Sequence, residues 1–400
     1  MNITNKDLSY KSLRIKKALA EVGASGILLR SIPAHLYLTG SVFQGYTYIP
    51  VDNDEGALPI FFVERPTAVF NGYDSERVFS AYKPELIPDL LHKHFGYQIG
   101  SDTVVELGEL TVTEYKRLSR LSPTGTLSDV DGTTLMRNVR SIKTEEELTE
   151  IRRLALRHME LYRVAPYLYE KGMTDIQWQH RLEYQMRRRG SIGIFRAFGS
   201  RMEIFMGNVS AGDNATMPAP YDFALGGAGA PAMPFGADGT VIRPGNTILV
   251  DLAGNYGVYT TDISRTYYVG ELPEIVQKAH ALSESLHRWF EENVRPGVAV
   301  SAVYNHCMEE VKNAALQEYF MGHDYQAKFV GHGLGIEINE PPVLTAKWKG
   351  DFQEGMVIAL EPKFTFSSIG AVGIESTYII TRDGVENITP LPTEMVQLDY

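Results

Sequence analysis

The apolar run Thr247-Ile-Leu-Val-Asp-Leu-Ala253 carries one ionisable residue, Asp251. Burying a carboxylate inside such a strand is costly unless a cation or hydrogen-bond donors compensate it, so Asp251 calls for a neutralising partner. Asp262 follows in Tyr259-Thr-Thr-Asp-Ile-Ser-Arg-Thr266, beyond the turn-like Gly254-Asn-Tyr-Gly257. Cross-strand partners in a hairpin keep a constant index sum. Pairing Asp251 with Asp262 centres the turn between Tyr256 and Gly257 and sets both carboxylates on one face. The pattern recurs where Met356-Val-Ile-Ala-Leu360 runs into Glu361-Pro362 and Glu375 sits in Val372-Gly-Ile-Glu-Ser376. Their midpoint, Ser368, lies inside Ser367-Ser-Ile-Gly370. Between the two hairpins, Gly331-His-Gly-Leu-Gly335 surrounds His332 with glycines that let backbone crowd close to the imidazole.

Asp251, Asp262, His332, Glu361 and Glu375 thus form an ordered set. Four carboxylates carry about four negative charges, which two divalent cations balance. One imidazole among carboxylates favours a fairly hard ion, manganese first, with cobalt, iron or zinc as alternatives. Two such ions about 3.5 to 4 Å apart would bridge a water, lower its pKa and polarise a carbonyl. The chemistry expected is hydrolysis.

The elements that must hold these residues are legible as alternating segments. Leu8–Val22 has near-helical apolar spacing stopped by Gly23, and Gly26–Leu29 reads as a strand. Further strands are expected at Leu36–Thr39, Tyr46–Val51, Leu58–Val63 and Thr103–Val105, with helices at Glu85–Phe95 and Thr113–Leu121. This gives a smaller α/β domain over residues 1–134. After the Pro- and Gly-bearing stretch that begins at Ser122, Thr144-Glu-Glu-Glu147 is a capping-box pattern opening a long amphipathic helix. A helix at Thr174–Arg189 follows, then strand-rich sequence over Ile192–Val269, helices at Leu272–Asn293 and Val300–Phe320, and strands from Phe329 onward. Helix pairs and strand groups alternating in this way suggest two similar halves in an α+β domain over 135–400. Residues 224–239 are dense in Gly, Ala and Pro and read as a loop, either a connector or the lining of a site. Trp178 and Trp289 fall in helical patterns and read as core.

Composition excludes several classes. Hydrophobic residues at 44% and charged residues at 22% of 400 positions describe a folded chain. The net charge of -11 repels a phosphate backbone, and the densest basic run, Arg187-Arg-Arg189, is a solvated helix face, so no nucleic-acid partner is expected. Cys307 is the only cysteine, which rules out an intramolecular disulfide or a CxxC pair and suits a reducing compartment. The polar, charged start, Met1–Lys17, lacks a signal core, and no apolar stretch of about 18 residues appears. A cytoplasmic protein without a membrane partner is expected.

With their surroundings, Asp251, Asp262, His332, Glu361 and Glu375 resemble the pita-bread-fold metallopeptidases, the aminopeptidase P, prolidase, methionine aminopeptidase and creatinase group. The likeness covers about Leu135 to Asp383. More loosely it includes the N-terminal domain, where Leu36-Tyr-Leu-Thr-Gly40 looks like the family's YLTG strand end. Two domains point to the Xaa-Pro branch. The resemblance implies that Asp251 chelates one metal, Asp262 and Glu375 bridge both, and His332 with Glu361 completes the second. Glu361 would also shuttle the proton from the attacking water to the leaving amine. A homodimer is implied as well, as is a short-peptide substrate for an aminopeptidase or dipeptidase.

Three departures from the family pattern stand out. Asn339, in Ile338-Asn-Glu-Pro-Pro342, takes the place of a histidine before Glu-Pro-Pro. An upstream histidine is missing from Asn214-Ala-Thr-Met-Pro-Ala-Pro-Tyr221, and Gly373 stands where an arginine commonly precedes the last glutamate by two. Asn339 can still donate a hydrogen bond to substrate without titrating, or serve as a turn residue before the proline pair. Arg265 and Tyr259, beside Asp262, are candidates to support it or simply to pack. The departures keep a second reading open, a same-fold hydrolase of a non-peptide C–N bond in a small molecule. A third is a binding module that has abandoned catalysis.

Overall fold

The computed structural model describes residues 5–51, 58–70, 73–81, 83–199, 202–221 and 223–398; the first four residues of the polar start lie outside them. The chain divides into two compact units at Arg140/Ser141, rather than between residues 134 and 135. The helix Gly132–Ser141 spans the expected boundary and stays with the first unit almost to its end.

In the first unit a five-stranded mixed sheet runs in the order Val78–Ser80, Ile60–Arg65, Gln44–Pro50, Gly26–Leu29, Thr103–Val105. One side packs Leu28, Tyr48, Ile60 and Phe62 against Ile87, Leu91 and Leu118 from two helices. Leu36–Thr39, expected as a strand, is instead the end of the helix Ile32–Thr39. Ser31 caps it by accepting from the Ala34 amide, Pro33 sits in its first turn, and Gly40 closes it at φ 67°. These end signals outweigh the strand-like look of four consecutive apolar and β-branched residues.

The second unit pairs helices with sheets twice. Helix Glu145–Val164 begins at the Thr144/Glu147 capping box, and Asp175–Arg188 begins at a second box, Thr174/Gln177. Tyr162 and His158 of the first helix reach the hairpin Thr247–Asn255/Thr260–Tyr268, through the Ile263 carbonyl and the Thr261 hydroxyl. That hairpin lies in a sheet with Gly207–Ala211 and Val396–Gln397. Helices Glu274–Asn293 and Val300–Asn313 cover the second sheet, ordered Glu340–Val343, Gly331–Gly333, Val357–Leu360, Ser376–Ile380, Val385–Asn387. Val276, Phe290, Val303, Ile358, Leu360 and Tyr378 form the core between them. Each fully buried aliphatic there contributes roughly 1.5 to 3 kcal/mol. That rigid frame holds the polar residues in place. Trp178 is buried as expected, whereas Trp289 is partly buried and stacks on His306 at 3.9 Å.

The sheets meet where Ser264 and Glu375 exchange backbone hydrogen bonds and the Thr377 hydroxyl joins both polar groups of Asp262's backbone. The acid-bearing strands therefore converge on one seam.

Candidate metal centre

In the first hairpin Asp262 lies opposite Ala253, and Asp251 opposite Ser264, with the turn over Tyr256–Tyr259. The register is two residues away from the expected direct pairing. A two-residue slip preserves the side to which side chains point, so the carboxylates are diagonal neighbours on one face. In the second hairpin Lys363 pairs with Gly373 and Val357 with Ile379, the register that sets Glu361 opposite Glu375. The positive φ of 63° at Ser368 turns the chain at the expected midpoint.

His332 sits in the strand Gly331–Gly333, which pairs on both sides. A Cβ at Gly331 would come within 2.3 Å of the Ala359 carbonyl oxygen, and one at Gly333 within 2.1 Å of the Pro341 oxygen. Only glycine permits both approaches. His332 Nδ1 lies 3.1 Å from the Gly333 carbonyl, a partner that calls for the Nδ1–H tautomer and leaves Nε2 as a lone-pair donor. Nε2 is 3.5 Å from Glu361 Oε1. Ligand atoms of Asp262, His332 and Glu375 all lie within 4.8 Å of one another.

Glu375 is buried and held from both ends. Ser264 Oγ donates to its Oε2 at 2.7 Å, and Arg265 Nη1 donates to its carbonyl at 2.7 Å. Its Oε1 has no hydrogen-bond partner among the described residues. Arg265 is buried and also donates to the carbonyls of Ser264, Pro392, Thr389 and Leu391, so it fixes backbone around Glu375. Tyr259 donates to Glu147 at 2.6 Å, which ties the hairpin to the capping box.

Sequence reasoning missed Lys363. Its Nζ is buried and donates to Asp251 Oδ2 at 2.8 Å, Glu361 Oε2 at 2.8 Å and Glu375 Oε2 at 2.9 Å. The available signal was alternation: two residues after Glu361 on an extended segment, Lys363 shares its face. Burial would lower the ammonium's pKa, but Asp251, Glu361 and Glu375 outweigh it and hold it well above the ordinary lysine value. Burial raises Asp251, with Lys363 opposing and Glu375 reinforcing. Asp262 is pushed well above the usual carboxylate range by burial and then by Glu375 and Asp251. Such a cluster gains from a further cation.

The donors fit one divalent ion at Asp262, His332 and Glu375, where an oxygen of Glu375 has no partner. Asp251, the residue expected to chelate a further ion, accepts a hydrogen bond from the Lys363 amine.

The cluster opens into a small pocket of about 60 Å³ whose walls include Phe195, Phe223, Phe235 and Ile338. Ala224, Leu225 and Phe235 bring the 224–239 segment to this wall, so the segment lines the site. Asn214 pins it, donating to the Gly236 carbonyl at 3.1 Å and accepting from the Ala228 amide at 2.7 Å. Asn339 lines the pocket too, but its amide is paired with Phe198 backbone: Oδ1 accepts from the amide at 2.8 Å and Nδ2 donates to the carbonyl at 3.3 Å. In this structure it orders the neighbouring loop.

Residues 149–382 match metallopeptidase family M24, and residues 12–142 match the creatinase/prolidase N-terminal domain. An Xaa-Pro dipeptidase of Pyrococcus furiosus is 26% identical over 90% of this chain and 92% of its own. Among solved structures, an Xaa-Pro dipeptidase from Bacillus anthracis superposes with a TM-score of 0.80 at 21% identity, covering 97% of this chain and 99% of that one. An X-Pro aminopeptidase from Thermotoga maritima gives 0.75 at 19% identity, covering 97% and 99%. These two structures share the fold.

Proposed function

On the premise that this chain belongs to metallopeptidase family M24, we propose that it is a divalent-metal-dependent Xaa-Pro peptidase, a dipeptidase or aminopeptidase acting on short peptides. The observation that carries this reading is the convergence of Asp262, His332 and Glu375 in a pocket walled by aromatic side chains, with Glu361 beside them. The Phe195, Phe223, Phe235 and Ile338 walls suit a pyrrolidine ring and exclude water around it. An ion bound by the cluster supplies Lewis acidity and lowers the pKa of water. Asp262, His332 and Glu375 would hold it, with manganese favoured by the mixed imidazole and carboxylate donors. Glu361, its Oε1 beside His332, takes the proton released by the attacking water and delivers it to the departing proline nitrogen. The Arg265 hydrogen bonds keep Glu375 in place.

The family resemblance supports a homodimer. A buried lone cysteine, and the absence among the described residues of any helix long and apolar enough to cross a membrane, support a cytoplasmic setting. The same centre hydrolysing a non-peptide C–N bond is the second reading, favoured by the engagement of Asn339 with Phe198. To decide between them, manganese-loaded protein is incubated with Xaa-Pro dipeptides and tripeptides and the products are identified by mass spectrometry. Cleavage at the Xaa-Pro bond, lost on chelation, is expected; an intact panel contradicts the peptidase reading.

A further inference from the structure

Resting on the reading of this cluster as a metal centre, we propose that Lys363 is a built-in cation that takes the place of a second divalent ion, so that the protein binds one ion per chain. Nζ has three hydrogens and three carboxylate acceptors, at 2.8, 2.8 and 2.9 Å. The acceptors are Asp251, Glu361 and Glu375, three of the four carboxylates that a two-ion site would use. An ion bonded to Asp251 Oδ2 and Glu375 Oε2 would need oxygens at roughly 2.0 to 2.2 Å. It would then compete with the ammonium for the same oxygens and the same space. The positive charges would also repel at contact range.

The room for the lysine is built into the opposite strand. Gly373 is its direct cross-strand partner, and a Cβ there would lie 3.1 Å from Lys363 Cγ and 2.6 Å from the Pro362 oxygen. Gly373 also has φ 147°, a conformation that favours glycine. At this position the resembling family commonly carries an arginine. A cation at 363 therefore stands opposite a glycine at 373 on one ladder rung. What the lysine leaves for a metal is Asp262, His332 and the Oε1 of Glu375, which has no hydrogen-bond partner among the described residues. Asp251 then becomes an anchor for the ammonium. The ammonium in turn holds Glu361 and Glu375 in position for the remaining ion.

The test is metal stoichiometry of the full-length protein loaded with manganese(II) and desalted, read by elemental analysis together with electron paramagnetic resonance. The expected result is one manganese per wild-type chain with the six-line signal of an isolated ion. In Lys363→Met, the expected result is two per chain with an exchange-coupled spectrum. Lys363→Gly provides the same measurement if the methionine variant does not fold. Two coupled ions in the wild type, or a single ion retained in the folded variants, would overturn the built-in cation while leaving the metallopeptidase reading intact. No manganese in any of the proteins would overturn both.

Discussion

Glu361 divides its oxygens between two neighbours: Oε2 accepts from Lys363 at 2.8 Å, and Oε1 lies 3.5 Å from His332 Nε2. A carboxylate fixed on one side and facing the pocket on the other is suited to proton transfer. Glu361→Gln keeps the size and the acceptor for Lys363 but cannot take a proton. Its turnover should fall by about 10² to 10⁴-fold or more, while the thermal midpoint moves by only a few degrees. An unchanged rate would remove Glu361 from the mechanism. The acidic residues were legible at this scale because each breaks an apolar strand or ends one. Lys363 was not, because a lysine after Glu-Pro looks like an ordinary solvated residue until the three carboxylates within hydrogen-bond reach of it are seen. Asn339 shows the opposite limit: residue type suggested a substrate donor, whereas its pairing with Phe198 depends on a loop distant in sequence.

Hairpins and helix ends decide how those residues meet. The second hairpin was readable to the register because its tight turn around Ser368 leaves little freedom in the pairing. The first was two residues off because the turn occupies Tyr256–Tyr259, and parity rather than register kept its acids on a common face. Leu36–Thr39 has the look of a strand because the caps that make it the end of a helix, Ser31 and Gly40, lie outside the apolar run. Behind the first hairpin, helix Glu145–Val164 buries His158, whose pKa falls to about 3 through burial and the nearby Arg265. In the unfolded chain that imidazole takes up a proton below about pH 6.5. The unfolded state therefore binds more protons between those values, and His158's contribution makes stability fall as pH drops from about 6.5 toward 3. The difference amounts to roughly 2 kcal/mol at pH 5. His158→Gln keeps a polar partner for Thr261 but does not titrate there. Urea denaturation at pH 7 and pH 5 should show a shallower loss for the variant than for wild type. Equal losses would mean that His158 is not held neutral by the fold.

At the scale of the molecule, the match of family M24 to residues 149–382 and of a separate N-terminal domain to residues 12–142 gives the chain the organisation its alternating segments suggested. The net charge of -11 and the lone, buried Cys307 bear on partners and compartment rather than on chemistry. What could not be read from sequence is how two hairpins more than a hundred positions apart share a seam. The Ser264–Glu375 pairing and the Arg265 hydrogen bonds that create it join segments with no common local pattern. The claim on which the account depends is that this seam holds a divalent ion. Anomalous diffraction from manganese-soaked crystals, collected where manganese scatters strongly, measures this directly. The expected result is a peak bounded by Asp262, His332 and Glu375; manganese bound only elsewhere, or no anomalous peak at these three side chains, would contradict a metal centre at the seam.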